Sequence, residues 1–274
     1  MTENISKNRI ISVASALAAV MTLGSCQKDI DFKYHDIEPL QVIEGQLTQG
    51  GAEVRLTLTT PMDEPMDRTL LTDATVTVEN LTDGSVQTLV PDETGVYRNA
   101  TAGVAGHEYR LTVERDGLTF TAMSVMEEPT EITSLEFNWI KMPYDHVAVL
   151  QVRFRDATPA SGDCYWVRIY RNGEAYSWAA TTDNLADDGI VSQVFMTTRM
   201  DLDKEDDDTI LRDGDEISAS VCMVSRRFFD YLQAISSDSN GEMMFSGAPC
   251  LGYFLASPLA TSSVIFRPDE IPYF

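Results

Sequence analysis

A mainly β fold, with two antiparallel assemblies in succession and one short helix in the second, is predicted by three observations on this chain of 274 residues. Short runs alternate apolar and polar residues with the two-residue period of half-buried strands. The turn dipeptides Asp83-Gly84, Asp116-Gly117 and Asn172-Gly173 punctuate those runs at hairpin spacing. One stretch alone, residues 226–236, changes to a helical period.

The first 25 residues read as an export signal. Lys7 and Arg9 supply a positive start, residues 10–23 an uncharged apolar run, and Gly24-Ser25 a small-residue approach to Cys26. The run is short for a bilayer span, and Leu23-Gly24-Ser25-Cys26 resembles the bacterial lipobox. That resemblance implies a diacylglycerol on Cys26, cleavage just before it and acylation of the new amine. Buried acyl carbons contribute about 0.8 kcal/mol per methylene, and two or three chains make an anchor that is in effect permanent. The expected localisation is therefore the outer membrane, held by lipid, with the body on the cell surface rather than facing the periplasm. Residues 26–39 read as a polar tether.

From residue 40 the strands begin. Residues 42–45, 53–58, 74–79, 86–89, 95–97, 109–113 and 118–121 alternate, giving about seven strands and an N-terminal sandwich of immunoglobulin size over 40–128. The blocks A-T-V-T-V, G-V-Y and G-H-E-Y-R-L-T-V resemble a transthyretin-like or carboxypeptidase-regulatory-like sandwich, a likeness of fold that carries no chemistry. Glu127-Glu128-Pro129 breaks the pattern and marks the expected boundary. Over 129–274 a second antiparallel domain follows, with longer strands at 132–140, 147–154 and 165–170. In the helical stretch Phe228, Tyr231, Leu232 and Ile235 fall on one face, which predicts packing on the sheet.

Composition narrows the partners. Lys plus Arg number 20 against 43 Asp plus Glu, a net charge of −23, which repels nucleic acid and anionic lipid surfaces. A hydrophobic content of 43% supports a folded body wearing a solvated acidic coat. Beyond Cys26 there are Cys164, Cys222 and Cys250, enough for at most one internal bridge. Cys222 with Cys250 is the preferred pair, because the intervening helix can bring two strands together; buried free thiols are the equal alternative.

Catalytic signatures are absent from the sequence. His35, His107 and His146 are isolated, and neither a zinc-binding helix motif nor a nucleophile elbow occurs. No enzyme activity and no cofactor are expected. The run Asp201, Asp203, Glu205 presents hard oxygen ligands at alternate positions, but its sixth and twelfth positions, Asp206 and Arg212, depart from the calcium-loop pattern. It is read as a solvated loop, with calcium as the minority alternative. Thr209, in Asp208-Thr209-Ile210, resembles a short O-glycosylation sequon. Trp139, Tyr144, Tyr176 and Trp178 are candidates for an aromatic ligand platform, weighed against ordinary sandwich core. Trp178, near a hairpin tip, is expected to be more exposed than Trp166, whose strand reads as central.

Several features occur in one order: the lipobox and tether, V-I-E-G-Q-L-T, A-T-V-T-V-E-N with G-V-Y-R, I-L-R-D-G-D-E, F-F-D-Y-L, and S-N-G with L-G-Y-F-L-A-S-P. This order resembles the Bacteroidetes lipoproteins of domain-of-unknown-function family 4249. Met243-Met244-Phe245 and Cys250 interrupt the last block. The resemblance implies an accessory lipoprotein beside a TonB-dependent outer-membrane receptor, serving uptake of an unknown ligand, and it carries over no catalytic residue. A surface adhesin or envelope-assembly protein is the second expectation. A hydrolase with an unrecognised site is the third.

Overall fold

Three sheets account for the strands among the described residues. The computed structural model describes residues 38–61, 65, 69–158, 162–186, 188–198, 210–237, 239 and 241–273. The signal peptide, the lipobox and Cys26, the tether as far as residue 37, the acidic run Asp201, Asp203, Glu205, and Thr209 lie outside the described residues.

The first sheet takes β1 (Gln41–Thr48), β2 (Gly51–Leu58), β3 (Thr75–Asn80), β4 (Val86–Pro91), β5 (Tyr97–Asn99), β6 (Glu108–Arg115) and β7 (Leu118–Val125). Two late strands, β14 (Ser246–Gly247) and β15 (Cys250–Ala256), complete the order β14-β7-β6-β3-β4-β5-β2-β1-β15. Alternation fixes which face turns inward: Ile43 and Leu47, Val54 and Leu56, Val76 and Val78, and Leu111 and Val113 are all buried in one core. The Ala256 N–H donates to Ser124 Oγ at 2.9 Å and the Glu127 N–H to the Ala256 carbonyl at 3.2 Å, so the sheet rolls until β15 meets β7.

The boundary expected at residue 129 separates β1–β7 from the strands that follow, but β14 and β15 return to the first sheet. β15 pairs with β1 in parallel. Gly252 permits this close approach. Its φ is +104°, and a Cβ there would stand 2.0 Å from the Ile43 carbonyl oxygen.

The second half contains β8 (Ile132–Lys141), β9 (His146–Arg155), β10 (Cys164–Arg171), β11 (Glu174–Thr182), β12 (Ile190–Thr198), β13 (Glu216–Val224) and β16 (Ala260–Ile265). They form a three-stranded sheet, β12-β9-β8, and a four-stranded one, β11-β10-β13-β16. Phe137, Trp139, Leu150, Val152 and Phe154 of the former meet Tyr165, Val167, Ile169, Ile217, Ala219 and Val221 of the latter in a second core. Asn172 and Gly173 adopt φ +51° and +86°, the left-handed pair that a two-residue hairpin needs, and they join β10 to β11.

Helix α1 (Arg226–Ser236) starts at Ser225, whose Oγ accepts from the Phe228 N–H at 3.2 Å. It buries Phe228 and Leu232, leaves Tyr231 half-buried and leaves Ile235 exposed. With Trp166, Cys222, Val224 and Leu255 it makes a third, smaller core on the other face of the β10–β13 sheet. That sheet is thus a middle layer, covered on both faces. Among the described residues no helix is long and apolar enough to cross a membrane.

Candidate functional site

The four aromatic candidates do not share a surface. Trp139 is 0% exposed, with its Nε1 donating to the Pro268 carbonyl at 3.0 Å, because its position on β8 points inward beside Phe137. It belongs to the core and not to a platform. Tyr176 is half-buried and packs against the same core. Tyr144, 98% exposed in the β8–β9 turn, and Trp178, 37% exposed on β11, stand on different sheets. Trp166 is 9% exposed, on a strand inside its sheet, as its sequence suggests.

The expected bridge is also absent: Cys164, Cys222 and Cys250 are free and buried. Cys222 packs in the third core, whereas Cys250 sits in the first, on the strand that pairs with β1. The helix between them packs on the middle sheet instead of drawing the two strands together. Burial pushes both thiols up to about 11, so neither is a ready nucleophile.

One acidic group was not legible in the sequence. Asp156 after β9, Asp163 before β10 and Asp183 after β11 bring carboxylate oxygens within 4.8 Å of one another. These three residues could offer hard oxygen ligands to a divalent cation. Each carboxylate already accepts from its own surroundings: Asp156 from Tyr165 Oη at 2.6 Å, Asp163 from Thr158 Oγ1 at 2.6 Å, and Asp183 from the Gly162 N–H at 2.9 Å. Glu127 lies beside this group. Burial, then the charges of Asp163 and Glu128, push its carboxyl up to about 7.

Among the described residues, a larger and a smaller groove stand out on the surface. The larger, about 500 Å³, is lined by Arg110, Thr112, Thr121, Arg227, Phe245 and Ser246, among others. Its cations are already matched, Arg110 by Glu79 and Arg227 by Glu242 at 3.2 Å. The smaller, about 370 Å³, runs past Gln46, Thr48, Glu53, Arg98 and Leu259. There Arg98 is matched by Glu53 at 2.6 Å and Asp92 at 2.7 Å.

Behind the smaller groove lies the layer between β1 and the middle sheet. Trp166, Phe228 and Tyr253 pack with ring centroids 5.3 to 5.7 Å apart. Burial, with the nearby charge of Glu44, raises the Tyr253 phenol, so it stays neutral. Arg168 lies over the Trp166 ring, its Cζ 4.3 Å from the centroid, a cation–π contact. Its Nη1 donates to Gln46 Oε1 at 3.3 Å and its Nη2 to Ser220 Oγ at 3.1 Å. Sequence reasoning missed this cluster. The available signal was an arginine inside Y-W-V-R-I-Y, a run apolar on both faces and so buried on both.

A family model described as "Domain of unknown function (DUF4249)" matches residues 27–263. No curated protein matches the chain. Among solved structures, the two fibronectin type-III domain segment from chicken tenascin aligns with 84% of this chain and 100% of that one. The identity is 10% and the TM-score 0.23, a superposition too loose to add to the strand order described above.

Proposed function

The chain belongs to the DUF4249 family, and from that premise we propose that it is a lipid-anchored, non-enzymatic binding protein of the outer membrane, working beside a TonB-dependent receptor in uptake of a ligand. The observation that carries this reading is the lipobox-like sequence ending at Cys26, ahead of a mainly β body and a short polar tether. Acylation there keeps the body at the membrane without a spanning segment, and the acidic coat holds it away from anionic headgroups. Grooves whose arginines are matched by carboxylates, with Arg168 held between the layers by neutral groups, suit capture better than covalent chemistry.

Labelling the native host with radioactive palmitate tests the anchor. Label is expected in the wild-type protein and its loss, with release from the membrane fraction, in Cys26→Ala. Pull-down from solubilised outer membranes tests the partner. A TonB-dependent receptor is expected in the wild-type eluate; fibre subunits in its place would favour the adhesin reading.

A further inference from the structure

Arg168 differs from the arginines that border the grooves. Arg98, Arg110 and Arg227 each face a carboxylate. Arg168 meets an amide oxygen, a hydroxyl and an indole ring, all neutral, and among the described residues no carboxylate forms an ion pair with it. In a chain with 43 acidic and 20 basic residues, a half-buried cation left without an acid is an exception to its own composition. Keeping such a charge out of water is costly unless something neutralises it.

A second observation falls in the same place. Three enclosed nitrogen atoms have no hydrogen-bond partner: Arg168 Nε, Trp166 Nε1 and Gln46 Nε2. All three are donors. Each unsatisfied donor costs about 1–3 kcal/mol, and buried polar groups are rarely left so. The three residues are contiguous, since Arg168 lies over Trp166 and bonds to Gln46. Trp166 itself is 9% exposed, so its N–H is a built-in feature of the layer and not a surface accident.

We propose that this layer is a binding site for a small oxyanion, a carboxylate- or phosphate-bearing molecule, held by Arg168, Trp166 and Gln46. A neutral ligand would leave the guanidinium charge unanswered, and a cation would be repelled. An oxyanion supplies paired acceptor oxygens to the Nε edge of Arg168, the side-on geometry that guanidinium favours. Its remaining lone pairs take the Trp166 and Gln46 N–H groups. Of the three residues only Gln46 borders the groove of about 370 Å³; Arg168 and Trp166 lie behind it, so the ligand enters past the Gln46 side chain. Glu53 on its wall is already matched by Arg55 at 2.8 Å and Arg98 at 2.6 Å, so its carboxylate does not oppose entry. The proposal rests on the ligand-capture reading and names the ligand's chemistry.

The test uses the full chain in detergent, titrated at constant ionic strength with inorganic phosphate in one arm and acetate in the other, against sodium chloride. Tryptophan emission and the melting temperature are followed together. A saturable response to phosphate or acetate and none to chloride is expected, and the responding arm distinguishes a phosphate from a carboxylate ligand. Arg168→Gln should weaken the midpoint by about tenfold or more, Trp166→Phe and Gln46→Met by smaller factors, and Arg227→Gln in the larger groove not at all. If Arg168→Gln does not fold, Trp166→Phe and Gln46→Met, followed by melting temperature, decide the matter. Lack of a saturable response in either arm, or midpoints unmoved in the folded variants, overturns the proposal. Neither result touches palmitate labelling or receptor co-purification, so the two readings fail separately.

Discussion

The two faces of the middle sheet are built from the same strands and do opposite things. Toward the second core, β10 and β13 present Tyr165, Val167, Ile169, Ile217, Ala219 and Val221, and Tyr165 meets Phe154 edge-on at 4.9 Å. Toward β1 and α1 they present Trp166, Arg168, Ser220 and Cys222. One face is dry and closed, with its tyrosine hydroxyl satisfied by Asp156 at 2.6 Å. The other holds a charge and unpartnered donors. The difference teaches that burial alone does not identify a structural core: the donors left over on the second face point to chemistry.

The comparison can be broken most forcefully on the dry face. Phe154→Ala should cost about 3–5 kcal/mol, read from the urea midpoint, because the ring is fully buried and its cavity cannot collapse. A loss below about 1 kcal/mol would mean that the second core is loosely packed.

A smaller effect is expected where the sheet's end is pinned by charge. Asp215, 8% exposed, accepts from Arg171 Nε at 2.7 Å, Asn172 Nδ2 at 2.8 Å and the Arg212 N–H at 2.6 Å. Burial works to raise its pKa, but the Arg212 N–H, the Asn172 amide and the Arg171 guanidinium outweigh it and hold the carboxyl below its usual range. Its contribution is therefore present above the unfolded value of 3.8 and is lost as pH falls through the lower folded value. Asp215→Ala should cost about 2–4 kcal/mol at pH 7. Melting curves that show a larger loss at pH 2 than at pH 7 would contradict the sign.

On the mixed side, Glu127 sharpens the contrast by destabilising. Its folded carboxyl, raised to about 7 by burial, Asp163 and Glu128, holds a proton that the unfolded chain releases from its usual value of 4.5. Stability thus falls as pH rises from about 4.5 to 7 and is level above. Glu127→Gln should gain roughly 1–3 kcal/mol at pH 8 and almost nothing at pH 4. An equal gain at both values would rule out ionisation as the cause.

The smallest effect belongs to Trp166→Phe, which removes an indole N–H that has no partner. A cost of about 1 kcal/mol or less is expected in the same urea assay, since the lost area is offset by the donor removed. A loss as large as that of Phe154→Ala would show that the two faces are equivalent.

How much of this was legible in the sequence can be seen residue by residue. Asn172-Gly173 and Asp116-Gly117 announced their hairpins, because both central positions of such a turn need positive φ and those pairs tolerate it. The helix at 226–236 followed from its period, and the structure adds the cap that starts it, Ser225, whose hydroxyl accepts the Phe228 N–H. The seven strands of the first half followed from alternation. Trp139 did not follow, since a period of two says that faces alternate without saying which is wet. Nor did the return of β15 to β1, because a parallel pairing between residues 41–47 and 250–256 has no local signature.

By itself the sequence determined what depends on near neighbours: the strand and turn succession, the helix at 226–236, and the family. Those follow from interactions a few residues long, in which side-chain type and spacing decide the outcome. Only the tertiary structure decided that the middle sheet is covered on both faces, that Cys222 and Cys250 lie in separate cores, and that Arg168 meets Gln46 across 122 positions of chain. Such juxtapositions are fixed by how whole sheets pack. The packing energy is spread over many non-directional apolar contacts, and no single residue spells it out.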